Sequence, residues 1–313
     1  MPFGGFRRQQ TLLLALIALG PFSGFVQAQQ NGHYIQGVTG LDNGTGAPPG
    51  VYVAYIPYVN AIHSFQGPNG RKLVDLDLNV VAHNVAYSVT THKRILGGDY
   101  GISAIFPIVN TRVSFAPLNT NVQEAGVSDI YFAPVVLGWE KGKANYLVNY
   151  GFYAPTGNFD PTKSLNPGLG FWEHQIQAGM SYSFDKKKLW NASALSTWEI
   201  SQSKSGVDLK AGPMLNVEYS IGHRFDQYKI NLGAAGYTYN KLSADTGSQA
   251  SILGSRFLDR SFGIGPEVKY TNPMKHFGVS FRYERQFAVQ NKTSGDVYAV
   301  GLTWLNIALP PHP

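Results

Sequence analysis

Residues 207–221 read VDLKAGPMLNVEYSI. Val207, Leu209, Ala211, Pro213, Leu215, Val217, Tyr219 and Ile221 fall at every second position. Between them stand Asp208, Lys210, Gly212, Met214, Asn216, Glu218 and Ser220. Successive side chains of an extended strand point to opposite faces, so the stretch describes a strand with one apolar wall and one largely polar wall. It is longer than an ordinary strand of about 5–6 residues. It suits a tilted membrane-spanning strand of about 9–11 residues with an extension beyond the bilayer.

The alternation recurs through the chain. Trp190, Ala192, Ala194, Ser196, Trp198 and Ile200 form one such face, with a tryptophan near each end. Phe277, Val279, Phe281 and Tyr283 form another, and Phe262, Ile264, Pro266, Val268 and Tyr270 a third. Aromatic rings at both ends of an apolar face match the two interfacial girdles of a transmembrane barrel. Twelve strands are expected near 51–62, 73–91, 98–109, 127–140, 143–155, 170–184, 188–201, 207–222, 227–240, 260–271, 276–288 and 296–307. Most even-to-odd connections are tight, as at Lys141-Gly142 and Asn272 to Lys275. Most odd-to-even connections are long, at 63–72, 110–126, 156–169 and 241–259. Short periplasmic turns facing long external loops are a barrel's asymmetry, and a soluble sandwich has no reason to show it. The expected fold is therefore all-β: a transmembrane up-and-down antiparallel β-barrel of about twelve strands over residues 51–307.

Two strands fit this pattern poorly. In 73–91 the polar set Asp75, Asp77, Asn79 loses register near Val80-Val81, where a β-bulge would restore the faces and would aim His83 at lipid. The first strand, VYVAYIPYV, is apolar on both faces, and its Pro57 suits a bulge or strand end better than a ladder interior.

Composition agrees with the barrel. Aromatic residues make up 13 %, glycines number 35 and charged residues only 14 %, where a soluble domain carries roughly a quarter charged. No cysteine is present, which excludes disulfides, thiolate metal sites and cysteine nucleophiles. The net charge of +6 includes Arg7 and Arg8 and is too scattered to argue for nucleic acid. Residues 1–28 have the layout of a signal peptide: Arg7 and Arg8, the apolar run Thr11 to Leu19, then Val26-Gln27-Ala28. Residues 29–50 (QQNGHYIQGVTGLDNGTGAPPG) are Gly-rich without either period, and read as an irregular periplasmic segment or a plug folded into the barrel mouth. Residues 308–313 form a C-terminal tail.

Residues 32–61, GHYIQGVTGLDNGTGAPPGVYVAYIPYVNA, combine a Gly-His-Tyr block, a Pro-Pro-Gly and a Tyr-spaced strand. Residues 150–184, YGFYAPTGNFDPTKSLNPGLGFWEHQIQAGMSYSF, add a Pro-Thr-Gly turn and an aromatic strand. Together they resemble the outer-membrane barrels grouped under the meta-cleavage pathway of phenol degradation, often labelled transporters. The resemblance implies a membrane barrel linked by name to aromatic-compound catabolism. The chain departs from many barrels at its end, LTWLNIALPPHP, which lacks a terminal aromatic.

No catalytic constellation emerges. His63-Ser64, followed by Asn69-Gly70, is the one suggestive cluster for a phospholipase-like barrel. Adjacent strand residues point apart, however, so a polar loop is the simpler reading. The other histidines are dispersed, without a metal-ligand spacing, so no catalytic residue, metal or cofactor is expected. The candidate pore lining is Asp75, Asp77, Glu199, Lys210, Glu218, Lys229, Glu267, Lys269, Arg282 and Glu284, with Tyr153, Tyr237 and Tyr239. These residues either set passage or brace the interior as paired charges. Their mixed sign argues against a strongly ion-selective porin. The function expected is passive outer-membrane uptake of small apolar or aromatic compounds; the alternative is a non-transporting structural or surface-interaction barrel. The partners expected are outer-membrane lipid, a small-molecule solute and the barrel-assembly machinery, without nucleic acid.

Overall fold

The computed structural model describes residues 31–115, 120–163, 165–250 and 252–307; the expected signal peptide, 1–28, and the expected C-terminal tail, 308–313, lie outside these. Thirteen strands run β1 (Gly50–Gln66), β2 (Lys72–Ile95), β3 (Gly98–Phe115), β4 (Thr120–Val127), β5 (Ile130–Lys141), β6 (Ala144–Ala154), β7 (Glu173–Ser183), β8 (Trp190–Ser201), β9 (Met214–Phe225), β10 (Ile230–Lys241), β11 (Arg260–Asn272), β12 (Phe277–Gln290) and β13 (Lys292–Ile307). Each pairs antiparallel with its sequence neighbour, except that β4 and β5 share β3. β3 pairs with β4 along its outer half and with β5 along its inner half, the break falling at Ser128-Asp129. β4 and β5 thus fill one position of twelve. β1 pairs with β13, closing the sheet and leaving no edge.

The outer wall is apolar because every strand presents one parity of its alternation outward. Trp190, Trp198, Ile176, Ile221, Leu232, Ile264 and Phe281 are all exposed there. Among the described residues no helix is long and apolar enough to cross a membrane, and the strands do the crossing. One end carries the tight turns at 96–97, 142–143, 184–189, 226–229 and 273–276, and is the periplasmic end. The long connections 155–172, 202–213 and 242–259 lie at the other.

β1, β2, β3 and β13 exceed their expected lengths. β1 and β2 continue to a turn at 67–71, and β3 and β4 extend well into the expected loop 110–126. Residues 63–66 and 120–126 are therefore ladder rather than loop. In β9 the error runs the other way. The alternation from Val207 suggests a strand, yet the ladder begins at Met214. Gly212 and Pro213 interrupt it, since proline has no N–H for a ladder.

The bulge in β2 lies nearer the outer end than expected. The register passes from Ile62↔Leu78 to Ser64↔Asp75, so the extra residue falls between 75 and 78, not at Val80-Val81. His83 does point outward, where its Nδ1 meets the Tyr55 hydroxyl at 2.7 Å and the two rings stack. Pro57 is a second correction: it sits inside the ladder, opposite His83, with no register shift beside it. β1 is apolar on its inner face for a reason invisible in its own sequence. Tyr58 packs there with Ala82, Val297, Ala299 and Ile35 of the segment before the barrel.

A candidate site in the barrel lumen

The interior is polar and filled. Glu173, Glu199, Glu218, Glu267 and Glu284 point inward from β7, β8, β9, β11 and β12 and are all buried. Burying carboxylates is costly unless donors satisfy them. Most of the donors come from residues 31–49, which run through the lumen.

The contacts follow the chain in order. Asn31 meets Lys292 near the outer end. His33 N–H donates to Glu173 Oε1 at 2.9 Å, and Tyr34 N–H to Glu199 Oε1 at 2.9 Å. Glu218 collects the densest set: the Tyr34 hydroxyl at 2.9 Å, the N–H groups of Gly37 at 3.0 Å, Val38 at 3.2 Å and Thr39 at 2.9 Å, and the Thr39 hydroxyl. Leu41 N–H donates to Glu267 at 2.8 Å, and Arg282 donates to the Val38 carbonyl at 3.0 Å. Lower down, Asp42 faces Lys269 at 3.4 Å, and the Thr45 hydroxyl donates to Ser181 at 2.9 Å. Gly37 and Gly40 adopt φ of 75° and 67°, the left-handed backbone that turns consecutive N–H groups toward one carboxylate. A methyl at Gly40 would collide with Glu267 and Arg282.

His33 is buried near the outer end. Its ring lies between Asp129 at 2.8 Å and Glu173 at 3.3 Å, and stacks on Tyr153 with centroids 4.5 Å apart. Burial alone would lower the imidazole pKa, but the two carboxylates outweigh it and raise the value to about 8. Asp129 is held below the usual carboxylate range: the His33 contact and the Gly157 and Leu169 N–H bonds outweigh its burial.

The expected lining divides on inspection. Glu199, Glu218, Glu267, Arg282, Glu284, Tyr153, Tyr237 and Tyr239 face inward and are buried. Arg282 and Glu267 are cross-strand neighbours, 3.8 Å apart. The Tyr237 hydroxyl accepts from Gln286 at 2.7 Å, and Lys292 lies 4.2 Å over the Tyr239 ring. Neither Glu284 carboxylate oxygen has a hydrogen-bond partner among the described residues. Lys269 lines the periplasmic mouth, and Lys229 sits in the turn below it, donating to Asn272 at 3.3 Å. Four placements correct the expectation. Lys229 is a turn residue with φ 57°, not part of a strand wall. Lys210 belongs to the external connection 202–213 and is exposed, for the reason given at Pro213. Asp75 pairs with Lys72 at the exposed outer end of β2. Asp77 lies at the bulge, opposite Ser114, on the outward parity.

The sequence reading missed His33, Asp129 and Glu173 as a unit. Asp129 stands 96 residues from His33 and Glu173 stands 140 away, so no local spacing could join them. The one local signal was the Gly-His-Tyr block itself. His63 and Ser64 point to opposite faces: His63 reaches outward to Asp296 at 2.9 Å, and Ser64 is buried inside.

Two cavities among the described residues open at the barrel's ends. A cavity of about 450 Å³ at the periplasmic mouth is lined by Asp42, Lys229, Asn231, Lys269, Thr271 and Ser280. A second, of about 270 Å³, lies at the outer end against Arg260, Phe287, Val289, Gln290 and Ser294. Beside it the β12–β13 ladder stops at Arg285↔Asp296, well short of the turn at Asn291. There the Gln286 side chain, rather than a backbone carbonyl, accepts from Gly295 N–H at 2.7 Å.

A closed barrel with an apolar outer wall and a polar lumen threaded by its own chain defines a bacterial outer-membrane β-barrel protein. Residues 62–301 match the family named for the MetA pathway of phenol degradation, and the chain belongs to that family. Among solved structures it is similar to an outer membrane channel from Pseudomonas putida F1, at 12 % identity and a TM-score of 0.71, covering 84 % of this chain and 98 % of that one. It is also similar to the β domain of the Bordetella autotransporter BrkA, at 9 % identity and a TM-score of 0.49, covering 82 % and 98 %. A FadL homologue from Pseudomonas aeruginosa follows at 11 % identity and a TM-score of 0.39, covering 81 % and 88 %. At these identities the likeness is one of fold. No curated protein matches the sequence.

Proposed function

We propose that the protein is an outer-membrane channel for passive uptake of small apolar or aromatic compounds, with residues 31–49 as its plug. The interruption of the β12–β13 ladder beside the outer cavity carries this reading. Backbone pairing is what keeps lipid and lumen apart, so a wall short of it is the cheapest place for an apolar solute to cross. The filled lumen disfavours a wide aqueous path, and the family's name supports an aromatic solute. Solute moves down its gradient, displacing hydrogen bonds of the segment without energy coupling. The Glu199, Glu218 and Glu267 carboxylates, with Arg282, act as the frame from which the plug hangs.

The test is uptake of a labelled monoaromatic compound at limiting concentration by cells with and without the gene. Faster uptake with the gene is expected, and equal rates would overturn the reading. The filled lumen is also what a non-transporting structural barrel would show, and equal rates would favour that alternative.

A further inference from the structure

The periplasmic end carries a surplus of positive charge at one depth. Five carboxylates stand there, and each is already engaged, Asp42 by Lys269 at 3.4 Å. Asp99 faces Arg94 at 3.2 Å, Glu140 faces Lys188 at 2.8 Å, and Asp226 faces Arg224 at 2.7 Å. Asp185 accepts the N–H groups of Lys187 and Trp190. Lys143 and Lys229 are half-buried and donate to the Phe184 carbonyl and the Asn272 side chain. Five lysines remain in or beside four of the five turns: Lys93, Lys141, Lys186, Lys187 and Lys275. All are exposed, and none has a carboxylate partner among the described residues.

Their depth is set by the rings beside them. Trp139 lies two residues before Lys141, Phe184 two before Lys186, and Trp190 three after Lys187. Phe184 and Trp190 are exposed on the outer wall, and Met274, next to Lys275, is 81 % exposed. Aromatic girdle residues sit at the boundary between acyl chains and headgroups. Lysines one turn beyond that belt stand level with lipid phosphates, their stems free to lie along the surface. The collar surrounds the barrel instead of forming one patch, which fits a ring of lipid better than a single docked protein.

We propose that this collar binds anionic phospholipid headgroups of the periplasmic leaflet, holding a lipid annulus around the short-turn end. Each lysine near an anionic surface contributes a phosphate contact that salt weakens. The inference is independent of what passes through the barrel.

The experiment uses the full mature protein, carrying Trp172→Phe and Trp198→Phe so that the remaining tryptophans report the short-turn end. It is reconstituted in phosphatidylcholine vesicles containing dibrominated phosphatidylglycerol or dibrominated phosphatidylcholine. Quenching is expected to give the anionic lipid about fivefold or greater preference at low salt. The preference should vanish in 0.5 M NaCl and in the variant with all five lysines changed to Gln, and persist with all five changed to Arg. Retained β-sheet circular dichroism in both variants excludes misfolding. Equal quenching by the two lipids in the unmodified collar overturns the proposal and leaves the collar to an acidic soluble partner. A preference that survives the Gln variant overturns it as well.

Discussion

His33 Nε2 lies 2.8 Å from the Asp129 carboxylate, joining the segment inside the lumen to the break between β4 and β5. Because its pKa in place is about 8 against an ordinary 6.5, the charged contact contributes fully below pH 6.5 and is lost as pH rises through 8. That shift corresponds to about 2 kcal/mol. Asp129 has the opposite sign: its depressed pKa means its contribution is present above the ordinary carboxylate range and lost as pH falls below it. Hydrogen-exchange protection of residues 31–41, corrected for intrinsic rate, should therefore decline between pH 6.5 and 9 and again below pH 4. In His33→Gln the alkaline step should disappear.

Glu218 satisfies more donors of the segment than any other carboxylate described above. Glu218→Ala leaves those N–H groups buried without an acceptor, costing about 3 kcal/mol or more in anchoring. Planar-bilayer recordings should show longer and more frequent open events than for the unmodified protein. An unchanged trace would mean the neighbouring Glu199 and Glu267 hold the plug unaided.

Removal of residues 31–46 should leave the barrel closed, since the β1–β13 seam is made from Val51 onward. The expected result is a heat-modifiable barrel with persistent conductance and leakage of small hydrophilic dyes from vesicles. Loss of the folded band on unheated gels would show that the segment is instead required for closure.

A substitution at Gly40 separates anchoring from charge. Gly40→Ala introduces a methyl against Glu267 and Arg282 and strains a positive φ. Proteolysis of residues 31–49 in intact vesicles should accelerate, whereas the barrel's unfolding midpoint should move little.

On the outer wall, Tyr55→Phe removes the hydroxyl that meets His83 and leaves an imidazole facing lipid. A loss of about 1 kcal/mol in urea unfolding from vesicles is expected. His83→Leu, which removes both the need and the cost, should be neutral or stabilising in the same assay.

Much of the barrel was legible because alternation is a local property. Val217, Tyr219 and Ile221 against Asn216, Glu218 and Ser220 state the two walls without help from any distant residue, and the structure keeps those faces. Reading the same rhythm back through Pro213 to Lys210 failed because hydrophobic periodicity does not register a missing N–H. Asp77 failed because one inserted residue near 76–77 reverses every face beyond it. The lumen was half legible. Inward carboxylates could be chosen by parity, but their partners come from glycine-rich backbone, and N–H groups leave no mark in composition. His33 and Asp129 meet only because twelve ladders bring the barrel round, and pairing at that distance in sequence is a property of closure.

The direction of the internal segment constrains biogenesis. Asn31 lies beside Lys292 at the outer end, whereas Gly50 opens β1 at the inner end, so the chain descends the lumen before it enters the wall. A finished cylinder could admit that segment only by having it pushed upward past five buried carboxylates. Folding around it is simpler: the segment lies against β7 to β12 while the sheet is still an open arc, and the β1–β13 seam zips last. The barrel is then wrapped about residues 31–49, and the carboxylates that hold the segment also serve as the mould on which the wall curves shut.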